Sequence, residues 1–355
     1  MSIPSPDRPP LDVLVIGGGQ AGLAMGHQLN VRGRPFEIVD AGPEIGHVWR
    51  SRWDSLRLFT SGRYDSLPGL PFPAAADAYP GKDDVAGYLQ AYAAQFGLAV
   101  RLDTTVTSLS RTDGMYVAKA GQKAIEARQV VLATGPFQVP FTPPVWAQLD
   151  ADVHQIHSSD YRCPDNLPLG RVLVVGAANS GCQIALELSA TRSVDLSVGR
   201  RIPTIPQRPL GRDVWSWATR IRLDRVTADS RLGRRLSKRD QIIGAGPRRL
   251  ARRHGLRLRT RVTQASGRAV TFADGGTYEY DTVVWATGFT TDNSWIDIAG
   301  LTDQRGRLRQ TRGVTASPGL YTLGLTWQHT RGSALLGWVG NDAAYLAQQI
   351  GSITP

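Results

Sequence analysis

The stretch VLVIGGGQAG (residues 13–22) decides the fold, and VLVVGAANSG (residues 172–181) repeats it about half a chain later. Each opens on four consecutive apolar residues, Val13 to Ile16 and Val172 to Val175. An apolar run without alternation suits a strand buried on both faces, as in a parallel sheet. Glycine follows at once, and then apolar residues at helical spacing: Ala21, Ala24, Met25 and Leu29 in the first copy, Ile184, Ala185 and Leu188 in the second. Strand, glycine turn and helix is the context of a dinucleotide fingerprint. Glycine lets backbone approach a pyrophosphate, which sits on the unpaired N–H groups of the helix N-terminus. The first copy is complete as Gly17-x-Gly19-x-x-Gly22, with Gln20 and Ala21 inside it. The second reads Gly176-x-Ala178-x-x-Gly181, with Asn179 and Ser180 inside it, so its middle glycine is lost.

The two copies lead into different residues. After Gly22 comes a helix ending near Gly33, a strand from Phe36 to Val39, and then Asp40. A carboxylate there receives a ribose 2′-hydroxyl. After Gly181 the corresponding strand, Val194 to Val198, delivers Arg200 and Arg201 instead. Guanidinium at that place suits a 2′-phosphate. The first site therefore reads as holding an unphosphorylated adenosine ribose, and the second as holding NADPH rather than NADH.

The echo extends further. The first copy passes turn signals at Asp113-Gly114 and Ala120-Gly121 and closes on VVLATG, containing Ala133, Thr134 and Gly135. The second passes Ser266-Gly267 and Asp274-Gly275-Gly276 and closes on VVWATG, containing Ala286, Thr287 and Gly288. The expected fold class is α/β, with two nested Rossmann-like domains. Residues 11–150 form the first part of one domain and residues 283–355 complete it. Residues 165–282 form the inserted domain, which carries an Arg-rich segment at about 206–250.

These residues carry a resemblance. From Leu11 to about Ile350 the chain resembles the flavin-containing monooxygenases in the broad sense, which include the plant YUCCA enzymes and, more distantly, the Baeyer–Villiger monooxygenases. The resemblance implies a three-layer ββα architecture like that of glutathione reductase, with FAD on the first fingerprint and NADPH on the second. It implies that WRSRWDSLRLFTSGRYDSLPGLPFP (49–73) lies along the isoalloxazine and its substrate cavity, so that Trp49, Arg50, Leu56 and Thr60 contact the flavin; it adds Val106 to those contacts. The implied chemistry is addition of O2 at flavin C4a and oxygen transfer from the C4a-(hydro)peroxyflavin. No catalytic side chain is implied; Thr60 and Gln328 are the candidates near the reactive edge, with Gln138, Ser158 and Thr330 as further members of that environment.

The chain departs from the family pattern in three places. In the signature F-x-G-x-x-x-H-x-x-x-[FYW], His157 and Tyr161 fit, but Ala151 and Val153 stand where Phe and Gly are expected. Tyr161-Arg162 sides with heteroatom oxygenases rather than Baeyer–Villiger enzymes. Phe59 stands where classical heteroatom oxygenases have Asn. An NADPH-dependent flavin reductase or oxidase of the same fold therefore remains an alternative to oxygenation.

Composition bounds the other readings. A hydrophobic content of 41% in 355 residues is ordinary for a two-domain globular protein. The net charge of +11 invites a polyanion-binding reading. Yet lysine occurs only at positions 82, 119, 123 and 238, and the Arg-dense run from Arg208 to Arg261 carries no nucleic-acid motif; it reads as a solvated helical insert. Cys163 and Cys182 are the only cysteines and no C-x-x-C occurs, which argues against a dithiol centre and for a reducing compartment. MSIPSPDRPP lacks the pattern of a signal peptide, and no run of 18 apolar residues occurs. A cytoplasmic enzyme is expected, with a small organic substrate and O2 as partners, no nucleic acid or membrane, no metal, and a homodimer left open. HQIH (154–157) has too few convergent ligands for a metal. No G-x-S-x-G elbow exists. GLYTLGL (319–325) reads as a last parallel strand, and a helix from about Asn341, with Asn341 as N-cap, comes after it. The loop between them is expected to set specificity.

Overall fold

The computed structural model describes residues 9–200, 202–238 and 241–352. Apolar runs at the two fingerprints form β1 (Leu11–Ile16) and, later, β9 (Arg171–Val175), each at the centre of its own parallel sheet. Around β1 lie β2 (Phe36–Val39), β3 (Val100–Arg101), β6 (Lys123–Leu132) and the strand Leu320–Thr322, in the order β3-β2-β1-β6-(320–322), all parallel. Around β9 lie β8 (His154–His157), β10 (Ser193–Ser197) and the strands Arg257–Arg259 and Thr282–Trp285, in the order (257–259)-β10-β9-(282–285)-β8, again all parallel. The two sheets correspond strand for strand in this order. Only the fifth strand differs in origin. The first sheet takes it from the end of the chain, the second from the segment before its own fingerprint.

Each sheet is covered on one face by helices and on the other by an antiparallel meander. Val13 and Val15 of β1 pack with α1 (Gln20–Val31), α3 (Lys82–Gln95) and α8 (Val339–Ser352). Leu14 and Ile16 face the other way, into the meander of β4 (Ser108–Thr112), β5 (Met115–Ala120) and the first half of β6. In the second unit Val172 and Val174 pack on α4 (Asn179–Leu188), while Leu173 and Val175 pack on Val270 and Phe272 of the meander Val262–Glu279 and on Tyr280 just after it. Two buried faces explain why neither fingerprint strand alternates. This is the three-layer arrangement expected, made twice.

The sheet bounds differ from those read in the sequence. The second sheet runs from His154 to Trp285, beyond both ends of 165–282, because β8 pairs with Thr282–Trp285 and that strand pairs with β9. The helix expected to start at Asn341 begins two residues earlier, so Asn341 lies in its first turn, its N–H donating to the Trp338 carbonyl. HQIH is a strand, and positions three apart on a strand point to opposite faces, so His154 and His157 diverge.

The Arg-rich segment is less solvated than its composition suggests. It forms α5 (Val214–Arg220), α6 (Arg231–Ser237) and α7 (Pro247–His254). Trp215 of α5 is buried, tilted against Trp338 at 4.9 Å and stacked with Phe59 at 6.3 Å. The Arg208 guanidinium donates to the Asp77 carbonyl, and the Ala228 N–H donates to the His329 carbonyl. The segment straps the second unit across the first. Its outward arginines, such as Arg248, Arg249, Arg252 and Arg253, remain exposed.

Candidate functional site

The glycines of each fingerprint have two different causes. Gly17 has φ +112°, and a Cβ there would stand 2.4 Å from the Ala133 carbonyl oxygen. Gly176 has φ +105°, and its Cβ would stand 2.3 Å from the Ala286 carbonyl oxygen. At Gly22 and Gly181 a Cβ would fall 1.8 Å from the carbonyl oxygens of Gly17 and Gly176. These four are required by the fold. The two Ala-Thr-Gly segments are thereby explained as well, since each packs its alanine backbone under a fingerprint, with the Ala133 and Ala286 N–H groups donating to Ile16 and Val175. Gly19 is another matter: its backbone is extended (φ −75°) and a Cβ there would meet no atom within 4 Å. Nothing in the chain requires glycine at that point. It clears space beside the N-terminus of α1, whereas Ala178 puts an exposed methyl at the matching place on α4.

Both helix N-termini are suited to an anion. Neither α1 nor α4 has a side-chain cap or an acidic residue in its first turn. By contrast α3 has Asp83 and Asp84 there, and Asp84 Oδ2 accepts the Gly81 N–H at 2.8 Å. Uncapped N–H groups beside a cleared backbone fit a pyrophosphate. Asp40 directly follows β2 beside this loop, its two oxygens accepting the N–H groups of Gly18 at 2.5 Å and Gly42 at 2.7 Å. Each carboxylate oxygen has a second lone pair, so both bonds leave room for a hydroxyl. Val106 is half-buried against the cluster that contains Ile16 and Val39. A crevice of about 910 Å³ opens at the carboxyl end of β6, lined by Leu132, Thr134, Gln138, Gln310, Leu325 and Thr326. Gln138 donates to Thr134 Oγ1 and to the Gly135 carbonyl.

The segment from Trp49 divides between the two units. Trp49, in a single helical turn, α2 (His47–Arg50), donates its indole N–H to Gln20 Oε1 at 3.3 Å, so it adjoins the first fingerprint. Arg50 is engaged elsewhere, with Glu44 at 3.2 Å and Gln90 at 2.9 Å. Trp53 and Leu56 join the core of the second unit, beside Ala177 and Cys182, and the Gln183 amide bridges the Arg57 backbone. Thr60 is buried, with its hydroxyl donating to Asp65 at 2.5 Å. Gln328 is also buried and is spent on its own turn, accepting the Leu325 N–H and leaving Nε2 without a partner. Several buried side-chain polar atoms of the segment and of elements that follow it have no partner in the protein, among them Trp53 Nε1, Ser61 Oγ, Asp65 Oδ2, Trp215 Nε1 and Gln328 Nε2. Buried polar atoms normally have partners, so an orphaned donor or acceptor here fits a ligand that would complete it.

The two units join through paired linkers, β7 (Val139–Pro140) with Phe289–Thr290. His157, the residue that matches the family signature, belongs to this junction. Its Nδ1 accepts the Ser159 N–H, which leaves the proton on Nε2, donating to the Gly288 carbonyl at 3.0 Å. Burial lowers its pKa, against the pull of that bond and of Asp160, so the ring stays neutral at physiological pH. Tyr161 is buried and donates to Glu187 at 2.8 Å, tying the signature to α4. Ser158 is buried beside the same junction, and Thr330 caps the turn Arg331–Ala334. Thr287 donates to the Phe141 carbonyl.

In the second fingerprint Asn179 accepts the Ile243 N–H, Ser180 is half-buried, and Arg200 is exposed in the turn after β10. Arg201 lies outside the described residues. The structure adds two elements that short-range reading missed. The side chain of Arg261 lies 3.8 Å from where a Cβ on Gly199 would be, which brings a further cation to this corner. Asp195 of β10 is fully buried and holds Arg171, Arg257, Arg259 and Tyr280. Only strand pairing across sixty residues assembles either one. Cys163 and Cys182 are both free; burial pushes the Cys182 thiol up to about 12, which makes it inert.

Residues 14–209 match the family described as pyridine nucleotide-disulphide oxidoreductase. The chain is 44% identical over 341 residues to an uncharacterized oxidoreductase, CzcO-like, of Geobacillus kaustophilus, covering 96% of this chain and 98% of that protein. It is 26% identical to the indole-3-pyruvate monooxygenase YUCCA1 of Oryza sativa, over 95% of this chain and 90% of that protein. Among solved structures, a flavin-containing monooxygenase from Stenotrophomonas maltophilia superimposes with a TM-score of 0.81 at 28% identity, covering 97% of this chain and 99% of that one. No described helix is long and apolar enough to cross a membrane. The chain thus belongs to the pyridine nucleotide-disulphide oxidoreductase family and, within it, to the flavin-containing monooxygenases, as an oxidoreductase enzyme.

Proposed function

We propose that the protein is an FAD-dependent monooxygenase that uses NADPH and O2 to oxygenate a small organic compound at a nitrogen, sulfur or carbonyl centre. One observation carries most of this reading: Gly19 is the fingerprint glycine that no packing demands, and it clears space beside an uncapped helix. Gly17, Gly19, Gln20, Ala21 and Gly22 would hold the FAD pyrophosphate, Asp40 its ribose, and Val106 the adenine end. Trp49, Thr60 and Ala133 to Gly135 would flank the ring; Arg50 and Leu56, engaged elsewhere, act by supporting that wall. Gly176, Asn179, Ser180 and Gly181 would hold NADPH, with Arg200, Arg201 and Arg261 on its 2′-phosphate and Ala286 to Gly288 beneath it. When bound, the flavin supplies the redox and oxygen-activating chemistry.

The chain's own part is orientation and exclusion of water. His157 fixes the Gly288 carbonyl and with it the linker between the two nucleotide sites. Phe59, Tyr64, Trp215 and Trp338 close the corner above Thr60, with Trp338 stacked on Tyr64 at 5.7 Å. A dry, apolar corner of this kind slows proton access to reactive species. Phe59 also favours a second reading, an NADPH-dependent flavin reductase or oxidase, because it puts an apolar ring where the classical enzymes have Asn. The test is NADPH consumed minus hydrogen peroxide released, across a panel of amines, sulfides and ketones. Oxygenated product with little peroxide supports the monooxygenase. One peroxide per NADPH with every compound overturns it in favour of the oxidase.

A further inference from the structure

Asp65 is the one fully buried carboxylate in the Trp49–Pro73 segment, and its surroundings are unusual for an acid. Its Oδ1 accepts the Thr60 hydroxyl at 2.5 Å, and its Oδ2 has no partner. No ion pair reaches it among the described residues. Asp213, the N-cap of α5, faces it as a second carboxylate, with one oxygen taken by the Trp215 N–H and the other by the Tyr79 hydroxyl. Arg208 donates to the Tyr79 hydroxyl and the Asp77 carbonyl rather than to either carboxylate, and its charge acts on Asp213. From α3 comes Tyr88, whose hydroxyl is fully used, accepting the Leu67 N–H and donating to the Leu70 carbonyl.

An acid and a hydroxyl that have only each other can bond in two ways. If the carboxyl is ionised it only accepts, and the Thr60 proton must point at it. If the carboxyl is protonated it can donate to Thr60 Oγ1, and the Thr60 O–H is released to point elsewhere. We propose that Asp65 is a positioning residue that sets the direction of the Thr60 hydroxyl, switching it between Asp65 and an acceptor on the flavin or the bound substrate. The proton that flips the pair comes from water and returns to it; no bond to carbon changes. Burial pushes the Asp65 carboxyl up to about 7, against the pull of the Thr60 bond and with the help of Asp213, which places the switch within the physiological range. The inference rests on the proposed placement of Thr60 beside a flavin.

The test has two arms on the purified full chain. Infrared spectra of the flavin-free protein, taken from well below to well above pH 7, are expected to show a protonated-carboxyl C=O band that fades with a midpoint near 7 and is missing in Asp65→Asn. In the flavin-loaded protein the visible flavin band is expected to shift with the same midpoint. Thr60→Val should abolish that flavin shift while keeping the carboxyl band, which a merely structural Asp65 would not do. Absence of the carboxyl band in the wild type overturns the proposal, as does a flavin shift that persists in Thr60→Val. A chain that takes up no flavin sinks the functional reading as well, and shows it by lack of colour whatever the infrared band does.

Discussion

Replacing Asp195 by Ala should be among the most damaging single changes in the second unit. The carboxylate is fully buried, and it accepts from Arg259 at 2.7 Å and from Arg171, Arg257 and Tyr280 at 2.8 Å. Burial alone would raise its pKa, yet these four donors outweigh burial and the net shift is downward. A hydrogen bond to a charged group contributes about 1.5–3 kcal/mol, but the contributions do not add. Arg257 is 50% exposed and can turn to water, whereas Arg259 at 16% and Arg171 at 28% cannot do so fully. Removing the carboxylate leaves guanidinium groups facing one another around a void. The expected loss is about 3–5 kcal/mol, the range for breaking a buried pair from one side. At roughly 2–4 °C per kcal/mol this lowers Tm by on the order of 10 °C. A group with a depressed folded pKa stabilises above its unfolded value, and its contribution disappears as pH falls through the folded value. The gap between wild type and Asp195→Ala should therefore close in acid. Thermal unfolding followed by circular dichroism, at neutral and at acid pH, measures both. An unchanged Tm at neutral pH would refute the reasoning, as would a gap that widens in acid.

Gly19→Val should leave a folded apoprotein, since a side chain there meets no atom of the chain, yet abolish FAD retention; a full complement of flavin in that variant would disprove the assignment of the first site. Gly22→Ala should instead lower Tm sharply, because its Cβ falls on the Gly17 carbonyl oxygen. Arg200→Ala should weaken NADPH use roughly tenfold to more than a hundredfold, with NADH use almost unchanged; equal losses with both would make Arg200 structural. Asp65, with a folded pKa raised to about 7 from 3.8, holds a proton that the unfolded chain releases. It should make stability fall as pH rises between those values, and the Tm–pH profile of Asp65→Asn should be flatter across that window.

Much of the architecture is written locally. Four apolar residues without alternation announce β1 and β9, and the glycines after them announce their turns. The roles of those glycines are not separable in a string of letters: Gly17 and Gly22 answer to carbonyl oxygens, Gly19 to open space. The edges of the second sheet were illegible for a related reason. HQIH has no strand-like composition, and it becomes β8 only because Thr282–Trp285 offers it a parallel partner. Leu56 reads as a flavin neighbour by its place in the segment, but burial draws it under Ala177 and Cys182. The charged insert reads as solvated by count, while its Trp215 is buried against Phe59 and Trp338. Asp65 looks like any loop aspartate; Asp213, far along the chain, helps to make it otherwise.

The interleaving of the two sheets has a consequence for the order in which the chain can take shape during synthesis. The second sheet is complete once residue 285 has emerged, since its strands all lie between His154 and Trp285. The first sheet begins with the first described strand, yet it waits for Leu320–Thr322 to pair with β6 and for α8 to cover α1 and β1. Until then the apolar faces of β6 and α1 stand open on the ribosome-bound chain, exposed to chaperones and to other nascent copies. A stop codon that removes α8 would spare the second sheet and strand the first, so truncated products should retain a protease-resistant core from the middle of the sequence rather than from its beginning.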